Sequence, residues 1–391
     1  MQISLFGLTL FSENKGCEAL AYAFLDLLSE IAMRKRKKID IVVNMTSDIE
    51  TIPIVSLQKK WENLNISFQR INIKCKKNRN SFIKQLKKSS LCFDFTEGDS
   101  FTDMYGIKRF IYRALVKSFA IKKNKRYILG PQTYGPYKRL FSRNWAKWII
   151  NHSSKVYSRD EMSKDLISSM TKKEVFVTTD VAMALKPDVQ NLIESKKIKV
   201  GINVSGLLWN GGYSQNNQFN LTVDYQKYIK KLVSYLCESG FYDIYLIPHV
   251  ITIDDYDNVE NDLKVCEVIN KLFSECKVIY DFETPSKIKG VISQMDIFTG
   301  ARMHSTIAAF STNVPVIPFS YSKKFEGLFC AVNYSYLIDG KKLTTQEAFE
   351  KTKEYILQYK KLKEDENASL KIVNEKINEF KCEIEKLIMG E

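Results

Sequence analysis

The sequence predicts an α/β protein of two Rossmann-like domains whose parallel sheets face a cleft. Short apolar strands alternate with helical stretches, the pattern of a parallel sheet covered on both faces. That alternation stops in a polar, lysine-rich stretch and then restarts. The length, 391 residues, leaves room for two cores.

The elements follow in order. Ile3–Leu10 reads as a strand, Asn14-Lys15-Gly16 as a loop and Glu18–Met33 as a helix, a strand-loop-helix opening. Further strands are expected at Ile39–Val43, Leu91–Phe95, Arg126–Leu129, Lys155–Ser158 and Val175–Thr178. Lys186-Pro187-Asp188 and the Lys-rich stretch to Lys199 form the linker. Beyond it come strand Lys199–Val204, an Asn/Gly-rich loop Trp209–Asn217 and a helix Val223–Glu238. Strands Ile244–Pro248, Lys277–Tyr280, Met295–Thr299 and Val316–Pro318 complete the second set. The charged, Gly-poor stretch Thr345–Met389 reads as one or two closing helices. The expected spans are therefore residues 1–190, 191–345 and 346–391, with the active site in the cleft between the first two.

Composition narrows the class. With 45% hydrophobic and 27% charged residues the chain is globular. Its net charge of +14 attracts phosphates, anionic lipid or nucleic acid without choosing among them. No zinc finger or ribonucleoprotein motif supports nucleic acid. The eight cysteines include no C-x-x-C pair, so they are expected to be reduced and mostly core thiols, with no metal site. The apolar start, Met1 to Phe11, lacks a basic leader and a cleavage site, and no apolar run reaches membrane-spanning length. The expected location is the cytoplasm, or the inner membrane face as a peripheral protein. Tyr105–Phe119 and Arg139–Ile150 interleave cations with aromatic and aliphatic residues, a pattern that fits an anionic membrane as well as a half-buried helix.

The chemistry concentrates in Asp296–Phe310. A short strand ends in Gly300, a helix begins near Ser305, and Arg302 and His304 fall in the turn between them. Such a turn aims backbone N–H groups and the positive helix end at one point, and Arg302 adds a two-pronged cation. Ser320-Tyr-Ser-Lys-Lys324 places two lysines just past the next strand. His304, one of three histidines, is the natural general acid/base, since imidazole titrates near neutrality.

The segment Gly300-Ala-Arg-Met-His-Ser305, with Val314-Pro315 and Ser320-Tyr321-x-x-Lys324, resembles the signature of the polysaccharide pyruvyltransferase family. Asn14-Lys-Gly-Cys-Glu-Ala-Leu20, Gly130-Pro-Gln-Thr-Tyr-Gly135, Ser158-Arg159-Asp160, Asp180-x-Ala182 and Gly201-Ile-Asn-Val-Ser205 agree in order, so the likeness spans roughly residues 1 to 330. The resemblance implies a scaffold like that of B-type glycosyltransferases, with 1–190 on the acceptor side and 191–345 on the donor side. It implies transfer of the enolpyruvyl group of phosphoenolpyruvate to two sugar hydroxyls, in making a cell-surface polysaccharide such as capsule or exopolysaccharide. It also implies that Arg159, Arg302, Met303, His304 and Lys324 hold phosphoenolpyruvate, with His304, Arg159 and Lys324 catalytic and Lys323 as a stand-in for Lys324. The acceptor, a sugar that is lipid-linked, nucleotide-linked or part of a finished polymer, is expected at Asn14, Glu97, Asp99, Gln132 and Asn203. No cofactor is called for.

One departure stands out. Where the family often has three glycines, this chain reads Asp94-Phe-Thr-Glu-Gly-Asp-Ser-Phe-Thr-Asp103, so Glu97 and Asp99 either bind sugar hydroxyls, act as a base, or cap a helix. Two rival readings remain: a glycosyltransferase whose nucleotide sugar uses Pro248-His249 and Asp254–Glu260, and an inactive family member that serves in assembly. Joint retention of Arg159, Arg302, His304 and Lys324 argues against the second.

Overall fold

The computed structural model describes residues 1–46, 54–280 and 282–390, without the side chains of 54–56 and 323. The chain divides into two compact units. The first comprises Met1–Phe11, Leu20–Val181 and Glu375–Glu391, and the second Ser12–Ala19 and Ala182–Asn374. The expected spans differ from this in three places: residues 12–19 join the second unit, so do residues 182–190, and the closing segment is shared between both.

The first unit is a seven-stranded parallel sheet of β1 (Gln2–Phe6), β2 (Ile39–Met45), β3 (Leu64–Arg70), β4 (Leu91–Asp94), β5 (Tyr127–Gln132), β6 (Lys155–Ser158) and β7 (Phe176–Val177), in the order β3-β2-β1-β4-β5-β6-β7. Ile3 sits opposite Ile41 on one side and Leu91 on the other. Every residue of β4 and β5 is buried, as both-face coverage by helices requires. Phe6, Phe82, Phe101, Phe110 and Tyr127 anchor the core on one face. The sequence reading has no strand over β3, an edge strand whose alternating polar residues weaken the apolar signal.

β1 ends four residues before the expected Leu10. Gly7 turns the chain at φ +62°, and its carbonyl accepts from Glu97 N at 2.7 Å, which diverts the backbone out of the sheet. The helix Lys15–Arg34 starts three residues earlier than Glu18. Asn14 is the reason: its side chain accepts from Gly16 N at 3.0 Å, satisfying a donor at the open helix end.

The second unit repeats the design with β8 (Ile198–Asn203), β9 (Tyr242–Leu246), β10 (Lys277–Val278), β11 (Ile297–Gly300), β12 (Val316–Ser320) and β13 (Ile338–Asp339), ordered β10-β9-β8-β11-β12-β13 and parallel. β13, two residues at the edge, is also absent from the sequence reading. The helix Tyr225–Ser239 is capped by Asp224 and closed by left-handed Gly240. The closing stretch forms two helices, Thr345–Leu357, with a Thr344/Glu347 capping box, and Tyr359–Met389.

The cysteines correct one expectation. All eight are free, but only Cys92, Cys266 and Cys276 are buried, and Cys75, Cys330 and Cys382 are exposed. Among the described residues no helix is long and apolar enough to cross a membrane.

Candidate active site

In each unit the strand order reverses between two central strands, β1 and β4 in the first, β8 and β11 in the second. Ligands of open parallel sheets bind beyond the carboxyl ends of the strands at that reversal, where the two neighbouring loops diverge and leave a crevice. Both reversals here carry charged residues.

In the second unit Asn203 ends β8, and Arg302 follows Gly300 at the end of β11. Asn203 Oδ1 accepts from Arg302 N at 3.0 Å, and its amide donates to Ile247 O and Asp262. The fully buried Asp262 accepts from Arg302 Nε and Nη2 (3.1 and 2.9 Å) and from Gly206 N, His249 N and Val250 N. Arg302 Nη2 also donates to Glu260 O at 2.7 Å, while Nη1 faces Glu260 Oε2 at 3.6 Å, outside hydrogen-bond range. Burial alone would lower the Arg302 pKa, but Asp262 and then Glu260 override it and raise it, so the guanidinium is permanently charged and held in one orientation. Sequence reading missed Asp262. Its only signal is Asn261-Asp262 opening a helix, which reads as an ordinary cap, and Glu260 enters the sequence reading only within Asp254–Glu260 of the rival nucleotide-sugar site.

Met303 and His304 open the helix Met303–Phe310, both half-buried. Gly16 backs the imidazole so closely that a Cβ there would sit 2.5 Å from His304 Nδ1. The segment bearing Gly16 is tied down by Lys15 N donating to His249 O and by the Asn14–Val250 bridge. His249 is buried beside His304, and burial first, then the charges of His304, Arg302 and Lys15, push its pKa down to about 3. It is therefore neutral near pH 7 and cannot serve as an acid. His304, His249 and Lys289 line a cavity of about 10 Å³, room for about one water. Lys324, half-buried, is the second residue of the helix Lys323–Cys330 after β12. The Lys323 side chain lies outside the described residues.

Glu18, three residues past Lys15, is 2% exposed. It accepts from Ser12 N at 2.6 Å and from Lys15 Nζ at 2.9 Å. Burial nevertheless raises its pKa to about 7, against the opposing pull of Lys15. Sequence reading had no signal for this, since Glu in a first helical turn is ordinary.

In the first unit Arg159 follows β6. Its Nη1 donates to Asp180 at 2.6 Å and its Nε to Thr133 Oγ1 at 2.8 Å. It is 3% exposed, and although burial would lower its pKa, Asp180, then Asp99 and Asp160, raise it. Gly98 lies over it, a Cβ there reaching 3.3 Å from Nη1. Glu97 and Asp99 flank Gly98. Glu97 caps no helix: it pairs with Arg109 (2.7 Å) and Arg113 (2.6 Å), while Asp99 accepts from Tyr105 Oη at 3.2 Å. Burial would lift the Glu97 pKa, but Arg113 and then Arg109 hold it below the ordinary range, which makes it a poor base.

Two residues expected to meet the acceptor sit fully buried within their own units. Gln132 donates to Asp94 O and Gly130 O, fastening β5 to β4. Asn203 is occupied with Arg302, Ile247 and Asp262. Both side chains are 0% exposed because their amides satisfy strand-end carbonyls. Asn14 acts as a helix cap.

Two parallel sheets of this order, each with a charged loop at its reversal, define a protein of two Rossmann-like units, and solved structures agree. A UDP-GlcNAc 2-epimerase from Neisseria meningitidis, bound to UDP-GlcNAc, is 14% identical, with 96% of this chain and 99% of that one covered and a TM-score of 0.54. A sucrose-phosphate synthase from Thermosynechococcus elongatus is 10% identical, covering 100% and 97%, with a TM-score of 0.55. A further UDP-N-acetylglucosamine 2-epimerase is 13% identical, covering 97% and 95%, at 0.56. At such identities the likeness is one of fold, that of B-type glycosyltransferases and epimerases. No curated protein matches. The polysaccharide pyruvyl transferase family matches residues 14–323, and the chain belongs to that family. Membership makes it a transferase with a polysaccharide acceptor.

Proposed function

We propose that the chain transfers the enolpyruvyl group of phosphoenolpyruvate to two hydroxyls of one sugar, giving a pyruvate ketal and inorganic phosphate. The observation that carries this reading is the Arg302–His304 turn, locked by Asn203 and Asp262 at the start of a helix. A guanidinium already oriented by a buried carboxylate needs no reorganisation to meet an anion, and the helix start adds N–H donors. His304 protonates the enol methylene, one sugar hydroxyl attacks the adjacent carbon, phosphate departs with that carbon's C–O bond, and the second hydroxyl closes the ketal. Each hydroxyl gives up its proton, so one is returned to the imidazole and the other leaves with phosphate. Arg302, Met303 and Lys324 grip the donor.

A lipid-linked acceptor at an anionic membrane fits the surface of the first unit, where Leu140, Phe141, Met104 and Tyr105 are exposed beside Lys138 and Arg139. The rival donor, a nucleotide sugar, is held by the solved epimerase of similar fold. Calorimetric titration separates the two. Phosphoenolpyruvate should bind wild type saturably, bind His304→Ala nearly as well, and bind Arg302→Ala at least tenfold more weakly. Binding of nucleotide sugars alone would overturn the proposal.

A further inference from the structure

A cavity of about 330 Å³ opens at the carboxyl ends of β1, β2 and β4 in the first unit, at the point where the strand order reverses. The loop after β4 that lines it is strained. Thr96 and Glu97, neither a glycine, have φ of +44° and +55°, the left-handed region that side chains disfavour. Three things hold it there. Asp94 accepts from Thr96 N (2.9 Å) and Oγ1 (2.7 Å). Gly7 leaves space for the Thr96 backbone that a Cβ would fill. Arg109 and Arg113 grip the Glu97 carboxylate. Strain kept up by so many contacts marks a carboxylate placed for a purpose.

Behind the wall Asn44, 4% exposed, donates through Nδ2 to Leu5 O and Val42 O, while its Oδ1 and Arg113 Nε, both closed to solvent, have no partner among the described residues. On the open side Glu97 accepts and Arg109 donates, so a ligand that both donates and accepts suits this wall. The charges are nearly balanced: Lys117 pairs with Asp94 at 2.5 Å, and both arginines share Glu97. That balance, with an anionic Glu97 at the centre, disfavours a phosphate or carboxylate. The rest of the wall is apolar, with Phe6, Leu8, Ile71 and Val116. Hydroxyls on one edge and a C–H face on the other describe a sugar ring, and the volume lies at the small end of the roughly 300–1,000 Å³ typical of ligand pockets.

We propose that this cavity binds a neutral sugar ring of the acceptor, with ring hydroxyls donating to Glu97 and accepting from Arg109 and Arg113. The site rests on the transferase reading for its role, but not for its occupancy. Glu97 is then a positioning group for the acceptor and not the base, replacing the expectation that spread acceptor contacts over Gln132 and Asn203.

The experiment is saturation-transfer NMR on the full chain with glucose, galactose, mannose and their N-acetylhexosamines at millimolar concentration, without donor. Two variants accompany it: Glu97→Gln removes the carboxylate charge, and Val116→Phe fills the cavity from the apolar side. At least one of these sugars should bind wild type, and both variants should weaken it at least tenfold while phosphoenolpyruvate binding stays within twofold. Absence of binding by every sugar, or equal binding by wild type and both variants, would overturn the site and leave the donor assignment standing. Sugar binding that behaves as expected in a protein blind to phosphoenolpyruvate would instead sink the donor assignment and keep the site.

Discussion

Replacing Glu18 with glutamine should remove a pH-dependent weakness from the second unit. The carboxyl is buried, and desolvation raises its pKa from 4.5 to about 7 even though Lys15 and Ser12 bond to it. A group whose pKa is higher folded than unfolded contributes stability that is complete below the unfolded value and is lost as pH rises through the folded one. A shift of about 2.5 units at about 1.36 kcal/mol each gives about 3 kcal/mol, lost between about pH 4.5 and about pH 8. Glu18→Gln keeps an oxygen for Ser12 N but cannot titrate. Its own loss of the Lys15 ion pair shifts stability by a nearly constant amount above about pH 8, where the wild-type pair is fully charged. The assay is guanidinium unfolding of both proteins across that range, read as the difference between them at each pH. Other titrating groups, such as the buried Glu366, are common to both and cancel. The difference should swing by about 3 kcal/mol in favour of the variant as pH rises, or roughly 6–12 °C in the melting midpoint of a unit this size. Parallel stability curves, with a swing under about 0.5 kcal/mol, would refute the burial argument for Glu18.

Gly16→Ala places a methyl 2.5–2.8 Å from Nδ1, Cγ and Cβ of His304, so the imidazole must move. Displacement of an acid by a fraction of an ångström to one ångström should cut phosphate release from phosphoenolpyruvate by about 10²-fold with little change in donor binding; unchanged turnover would remove His304 from the chemistry. On the membrane side, Leu140 is 74% exposed and Met104 51%. Leu140→Glu with Met104→Glu should weaken sedimentation with phosphatidylglycerol-containing vesicles at least tenfold, since burial of one such side chain is worth about 1.5–3 kcal/mol. Equal sedimentation of variant and wild type would dispose of the membrane surface.

Strand cores, the two-unit plan and the Arg302–His304 turn were legible in the sequence because local patterns carry them. Buried parallel strands are uninterrupted apolar runs, and a strand ending in glycine before a helix puts polar residues at the turn whatever else surrounds it. The edge strands β3 and β13 were not legible, since one alternates with polar residues and the other spans two residues.

The tertiary structure alone decided what each polar residue is for. Gln132 and Asn203 look like sugar ligands in one dimension, but in three they secure strand ends because carbonyls left open at those ends must find donors. Asp262 lies forty residues from Arg302 along the chain and fixes its guanidinium, and Arg113 lies sixteen from Glu97 and fixes its carboxylate. Sequence determines which charges exist and on which element. Only folding determines which are buried and which partners they meet there: burial lifts the Glu18 carboxyl toward neutrality against Lys15, whereas Arg113 and Arg109 overcome burial and hold Glu97 ionised.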